Sequence, residues 1–156
     1  MYKRILVPLD GSELAECVLP HVETIATGCG VETVTFVRVV DQTPIPLNAE
    51  AYTFGAKEWE QLETEYRTAA EDYLNRLATR VKYGNVKIQT KVLTGGRAAD
   101  MIADYASKND FDLIIIATHG RSGVSRWVWG SVADHILRSA CVPVLMIRAP
   151  GCIAGI

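Results

Sequence analysis

Between Ala117 and Val132 the sequence sets glycine at 120, 123 and 130, serine at 122 and 131, and arginine at 121 and 126. These residue types suit the holding of a phosphate. Gly120 and Gly123 let the backbone approach an anion and take φ > 0 where a turn demands it. Gly130-Ser131 opens a helical pattern, so the free amides of its first turn and the helix dipole would face negative charge placed there. The hydroxyls of Ser122 and Ser131 add donors, and Arg121 and Arg126 add positive charge. A plain glycine turn ending in a serine cap uses the same residues. Composition alone leaves both readings open.

A second marked stretch is Pro8-Leu9-Asp10-Gly11-Ser12, which closes the apolar run from Ile5. Asp-Gly pairs are common turn formers, so Asp10 reads either as a turn residue or as a ligand-bonding carboxylate. Its place after an apolar strand favours the ligand. His119 either touches phosphate or lies solvated on its loop. Arg38 interrupts an apolar strand and calls for a charged partner, which Asp41 or a bound phosphate would supply, a structural ion pair being the simpler choice. Asp134 and His135 are adjacent on a helical pattern and point about 100° apart, which places both on a helix surface rather than in a catalytic pair. Trp127 and Trp129 either cover a bound ligand or pack beneath the loop, packing being the simpler choice. No G-x-S-x-G elbow and no Walker lysine occurs, so no catalytic residue is assigned and any hydrolysis of a nucleotide would be slow.

These residues must be positioned by the elements around them. Ile5 to Leu9 reads as a buried strand. Ser12 stands where a helix cap belongs, and Leu14, Val18, Leu19, Val22, Ile25 and Ala26 follow at helical spacing. Val31 to Asp41 is a second strand, and 42–56, with two prolines and no period, is a long connection. From Glu58 to Lys82 the positions Trp59, Leu62, Tyr66, Ala69, Tyr73, Leu74, Leu77 and Val81 predict one long amphipathic helix. Val86 to Leu93 is a third strand. Arg97 to Ser107 is a helix with Ala98, Met101, Ile102 and Tyr105 inward. The unbroken run Asp112 to Ala117 marks a strand covered on both faces. Ser131 to Ser139 makes a last helix and Pro143 to Arg148 a last strand. Strands alternating with helices imply an α/β fold with a parallel sheet and helices on both faces. In such a sheet, ligands bind at the carboxyl ends of the strands, where strand order reverses.

The 156 residues carry a net charge of −2, with 49% apolar and 22% charged side chains. That is one ordinary globular domain, expected over 1–148 with a loose tail at 149–156. A duplex-binding surface would show a basic excess, so no nucleic-acid partner is expected. No apolar run reaches the ~20 residues of a membrane span, and the opening residues lack the pattern of a secretory signal. A soluble, cytoplasmic protein is expected, with Cys17, Cys29, Cys141 and Cys152 as free thiols. Three scattered histidines and no C-x-x-C pair give no metal site.

The spacing Ala117-x2-Gly120-x9-Gly130-Ser131 resembles the glycine-x2-glycine-x9-glycine-serine or threonine motif of the ATP-binding branch of the universal stress protein family. The resemblance extends over nearly the whole chain. It includes KRILVPLDGS at the start, DLIIIA, GSVADHILRSA, and CVPVLMIR near the end. It implies a Rossmann-like sheet of five parallel strands in the order 3-2-1-4-5. It implies that Asp10 bonds the ribose or adenine edge, that Pro8 and Leu9 shape the base pocket, and that Val39 offers backbone contacts to adenine. Gly120, Gly130, Ser131 and Val132 would give amides and a hydroxyl to the phosphates, while Thr118 and His119 line the loop. Magnesium or manganese would bridge the phosphates of ATP, with ADP or AMP as other ligands. A homodimer through the last strand, Val142 to Ile147, is also implied.

One position departs from the motif. Ala117 replaces its first glycine, and alanine resists φ > 0. The expected function is a nucleotide-dependent switch in a stress response, in which ATP orders the stretches Ala117 to Gly130 and 42–56 for an unidentified protein partner. The alternative is a dimeric interaction module that holds no nucleotide, and one fold also admits a true enzyme.

Overall fold

A computed structural model describes residues 1–40, 56–118 and 131–148. The strands are β1 (Arg4–Pro8), β2 (Thr33–Val40), β3 (Lys87–Thr94), β4 (Leu113–Ala117) and β5 (Val144–Ile147). The helices are α1 (Leu19–Gly28), α2 (Ala56–Arg80), α3 (Ala98–Lys108) and α4 (Ser131–Ser139). All strand pairs are parallel, and the sheet order is β3-β2-β1-β4-β5. The α/β class and the 3-2-1-4-5 order expected from the sequence both hold.

Alternate side chains of each strand feed two separate cores, the direct result of a period of two in extended chain. Ile5 and Val7 of β1, Val34 and Phe36 of β2, and Leu113 and Ile115 of β4 pack with Val18, Val22, Leu74 and Leu77 under α1 and α2. Leu6, Val37, Ile114 and Ile116 point the other way and pack with Ala99, Ile102, Ala133 and Ile136 under α3 and α4. Both layers of helices are needed to cover the sheet, since the central strands have an apolar face on each side.

The first helix departs from expectation. The segment after Ser12 forms a 3-10 turn at Ala15–Val18, and the α-helix begins only at Leu19. Ser12 Oγ accepts from the amide of Ala15 at 3.1 Å, but Gly11 to Leu14 form bends and turns, and the 3-10 helix that follows has no side-chain cap. Pro20 then sits in the first turn of α1, where its missing N–H leaves nothing unpaired. Leu14 is thereby turned out to solvent.

Two buried stripes also differ. Among the described side chains of α2, Ala70, Leu74 and Leu77 are buried, while Tyr66 and Ala69 face solvent. A helix of 25 residues is about 37 Å long. An eight-residue strand such as β3 spans only about 26 Å, so the sheet cannot cover all of α2. In α3 the buried residues are Ala99, Ile102, Ala103 and Ala106. Ala98, Met101 and Tyr105 are half-buried flanks of that stripe.

The amino end of the sheet is fastened by one side chain. Asp112 Oδ2 accepts from the amides of Lys3 and Arg4, each at 2.7 Å. The Arg4 guanidinium lies 5.2 Å from the centroid of the Phe111 ring. That end is therefore occupied by structural contacts, while Leu9, Asp10, Ala117 and Thr118 stand at the opposite, carboxyl ends of β1 and β4.

Candidate functional site

The chain leaves β1 towards β2 on one side and leaves β4 towards β5 on the other. Strand order thus reverses between β1 and β4, and the ends of these two neighbours open away from each other. A crevice at that point is where open α/β sheets take ligands. Leu9 and Asp10 stand at the end of β1, Ala117 and Thr118 at the end of β4, and Val39 near the end of β2.

Leu9 carries the ladder one residue past β1, its amide donating to Val37 O at 2.9 Å. Pro8 and Leu9 are both buried, Leu9 within the core under α1 and α2. Asp10 follows, half-buried, and its Oδ1 accepts from the Ser12 amide at 2.9 Å and from Ser12 Oγ at 2.6 Å. Asp10 is therefore a turn residue and a carboxylate at the strand-order reversal at once. Only Oδ1 is used in these bonds to Ser12. Val39 is half-buried and packs towards the α3 and α4 layer.

Ala117 resolves its own difficulty. It is the last residue of β4, paired with Ile147, and its methyl group joins the core under α1 and α2. Among the described residues the single non-glycine with positive φ is Asp110. Position 117 thus demands no left-handed backbone, and alanine fits there without strain. Thr118 is buried and donates its amide to Ile147 O at 2.9 Å. His119, Gly120 and Gly130 lie outside the described residues, as do the arginines and tryptophans expected on that loop, Cys152, and the tail at 149–156.

Ser131 opens α4 with its side chain exposed, and Val132 beside it is 37% exposed. Ala133 and Ile136 anchor the helix from below. Asp134 and His135 do not pair with each other, as their separation around the helix requires. Arg138 Nε donates to Asp134 at 3.0 Å within α4, whereas His135 Nε2 reaches Asp100 of α3 at 2.7 Å. His135 therefore ties α4 to α3 and is not a free surface residue.

Several contacts beside the site had only a faint signal in the sequence. Arg38 stood out as a charge in an apolar strand. Its Cζ lies 5.5 Å from the centroid of the Tyr73 ring. Asp41, its expected partner, is outside the described residues. Tyr73 donates its hydroxyl to Glu16 Oε1 at 3.0 Å, and Glu16 also pairs with Arg80. Burial, with the Glu16 carboxylate beside it, pushes the Tyr73 hydroxyl well above the usual tyrosine range. Nothing in the pattern around Glu16 or Tyr73 marks them for this role, because they are 57 residues apart.

Among the described residues no group of three His, Cys, Asp or Glu side chains could hold a metal ion. No helix there is long and apolar enough to cross a membrane. Cys17, Cys29 and Cys141 are free thiols.

Comparison with known proteins places this arrangement. A universal stress protein of Methanocaldococcus jannaschii, MJ0531, is 31% identical over 151 residues, covering 96% of this chain and 84% of the relative. The solved structure of MJ0577, from the same organism, superposes with a TM-score of 0.81 at 24% identity, over 97% of this chain and 99% of its own. At that identity the likeness is one of fold. Two structures of the same fold are complexes with adenine nucleotides. A universal stress protein with cAMP gives a TM-score of 0.59 at 18% identity, covering 95% of this chain and 98% of its own. An Arabidopsis thaliana family protein with AMP gives 0.58 at 16%, covering 96% and 93%. The model of the universal stress protein family matches residues 1–148, and the chain belongs to that family.

Proposed function

We propose that the chain binds an adenine nucleotide, ATP in the first place, across the ends of β1 and β4, and serves as a nucleotide-dependent switch in a stress response. The observation that carries this reading is Asp10 at the point where strand order reverses, with buried Pro8 and Leu9 before it and Ala117, free of a positive φ, at the end of the neighbouring strand. Asp10 takes the ribose or adenine edge, Pro8 and Leu9 the base, and Val39 the base from its backbone. The phosphates lie on the loop of Thr118, His119 and Gly120 and on Gly130, Ser131 and Val132 at the start of α4, where free amides and the dipole favour negative charge. The described residues offer donors for phosphate but no cage of carboxylates, so magnesium or manganese fits as an ion carried on the phosphates. The binding of cAMP and AMP by proteins of the same fold supports the ligand class.

Denaturing freshly purified protein and identifying the released nucleotide by mass spectrometry tests this directly. Wild type should release ATP, ADP or AMP, and Gly130→Ala, which sets a methyl group against the phosphates, should release little or none. Wild type that is empty and binds no added ATP with magnesium would leave the interaction module as the function.

The reading includes a homodimer. β5 is an edge strand with β4 as its neighbour, its four residues are all half-buried and apolar, and an uncovered apolar edge invites pairing with a second copy. Sedimentation at micromolar concentration should give twice the chain mass, and a monomer would remove the dimer while leaving the nucleotide site untouched.

A further inference from the structure

The turn that carries Asp10 is held from two sides. From within, Asp10 and Ser12 close it through the Oδ1 bonds, and Ser12 Oγ takes the Ala15 amide. From the α2 side, a planar cation is laid against it. Gly11 has φ of 86°, and a Cβ built there would lie 3.0 Å from Arg38 Nη1, 3.1 Å from Cζ and 3.3 Å from Nη2. Near-equal distances to three atoms of the guanidinium mean that its flat face, not its edge, meets the glycine. The same group lies over the Tyr73 ring, and the bond from the Tyr73 hydroxyl to Glu16 secures that ring. Glu16 belongs to the 3-10 turn that follows the Asp10 turn and also pairs with Arg80 near the end of α2.

Gly11 thus meets Arg38 of β2, Arg38 meets Tyr73 of α2, and Tyr73 meets Glu16 of the 3-10 turn. Phe36 and Arg38 leave β2 on the same side because side chains alternate, so the arginine is directed at α2 by register alone. Gly11 must be glycine twice over, for its backbone angle and for the guanidinium that occupies the place of a side chain. A lysine would not substitute, since it has no flat face to stack.

We propose that Arg38, packed between Gly11 and the Tyr73 ring, is a positioning residue that fixes the Asp10–Ser12 turn and so aims the Asp10 carboxylate at the nucleotide. The ligand half of this statement rests on the nucleotide reading above, and the turn half does not.

The test uses the full chain with Arg38→Met, which keeps length and apolar contact but removes the flat cation. Without ligand, amide exchange at Ser12 and Ala15 should quicken by roughly tenfold, the scale of a lost cation–ring stack, while exchange at Leu9 stays as in wild type. Affinity for ATP should fall by roughly tenfold, and, where Asp10 takes the ribose and not the adenine edge, that for 2′,3′-dideoxy-ATP by less than about twofold, because the analogue lacks the ribose hydroxyls. Tyr73→Leu should reproduce both effects, and Tyr73→Phe, which keeps the ring but loses its bond to Glu16, should show both at a smaller size. Unchanged exchange at Ser12 in both Arg38→Met and Tyr73→Leu would overturn the proposal. So would equal losses for ATP and its analogue accompanied by a general fall in Tm, the mark of a merely structural residue. If wild type binds no ATP, the nucleotide reading fails by itself, and the exchange rates alone decide whether Arg38 holds the turn.

Discussion

Replacing Asp10 with alanine is expected to weaken ATP binding by roughly tenfold to a hundredfold, the effect of losing one charge-assisted hydrogen bond worth about 1.5–3 kcal/mol. The variant also strips the partner from the Ser12 amide and hydroxyl, so stability should fall by about 1 kcal/mol, the usual effect of a lost cap. Asp10→Asn separates the two contributions. Its amide oxygen still accepts from Ser12, so stability should return, while affinity stays low because the charge is gone. Calorimetric titration with ATP and thermal melting of the three proteins give both readouts. Equal ATP affinity in wild type and Asp10→Ala would place the nucleotide elsewhere or remove it.

Phe36→Ala is expected to lower the free energy of unfolding by about 3–5 kcal/mol, the largest stability effect of any single change considered. Phe36 is fully buried in the middle of β2, opposite Val7 of β1 and Thr90 of β3, and fills the space beneath α2. Domains of this kind hold only about 5–15 kcal/mol in all, so much of the margin would go. Phe36→Leu, which retains most of the volume, should cost less than about 1.5 kcal/mol. Urea unfolding of both variants decides it. A loss under about 1 kcal/mol in Phe36→Ala would mean that α2 does not close tightly over β2. That result would also loosen Tyr73, and through it the support of the Asp10 turn.

The fold was readable because its signals are local. Five apolar runs alternate with four helical patterns, and a parallel sheet is the only regular way to join strands separated by crossovers of that length. The family resemblance supplied the strand order, which periodicity alone does not contain. Element ends were legible within a residue or two wherever glycine, proline or a cap marked them, as at Ser131. After Ser12 they were not, because Asp10 and Ser12 redirect the backbone bonds into a turn that no hydrophobic period reports.

The candidate site divides in the same way. Asp10, Ala117 and Ser131 were visible as residue types at strand and helix ends, where the chain itself determines what is exposed. The backbone that alanine takes at 117 was decided by its pairing with Ile147, which asks for no positive φ. The partners of Arg38 and His135 were settled by packing alone. Tyr73 reaches Arg38 from a helix that begins sixteen residues after the end of β2, and Asp100 reaches His135 from a different helix. The sequence by itself determined which faces of each element are apolar and where each element turns. Only the tertiary structure decided which charged and aromatic side chains meet, because those contacts depend on sheet order, register and helix rotation, none of which is written in the spacing of neighbouring residues.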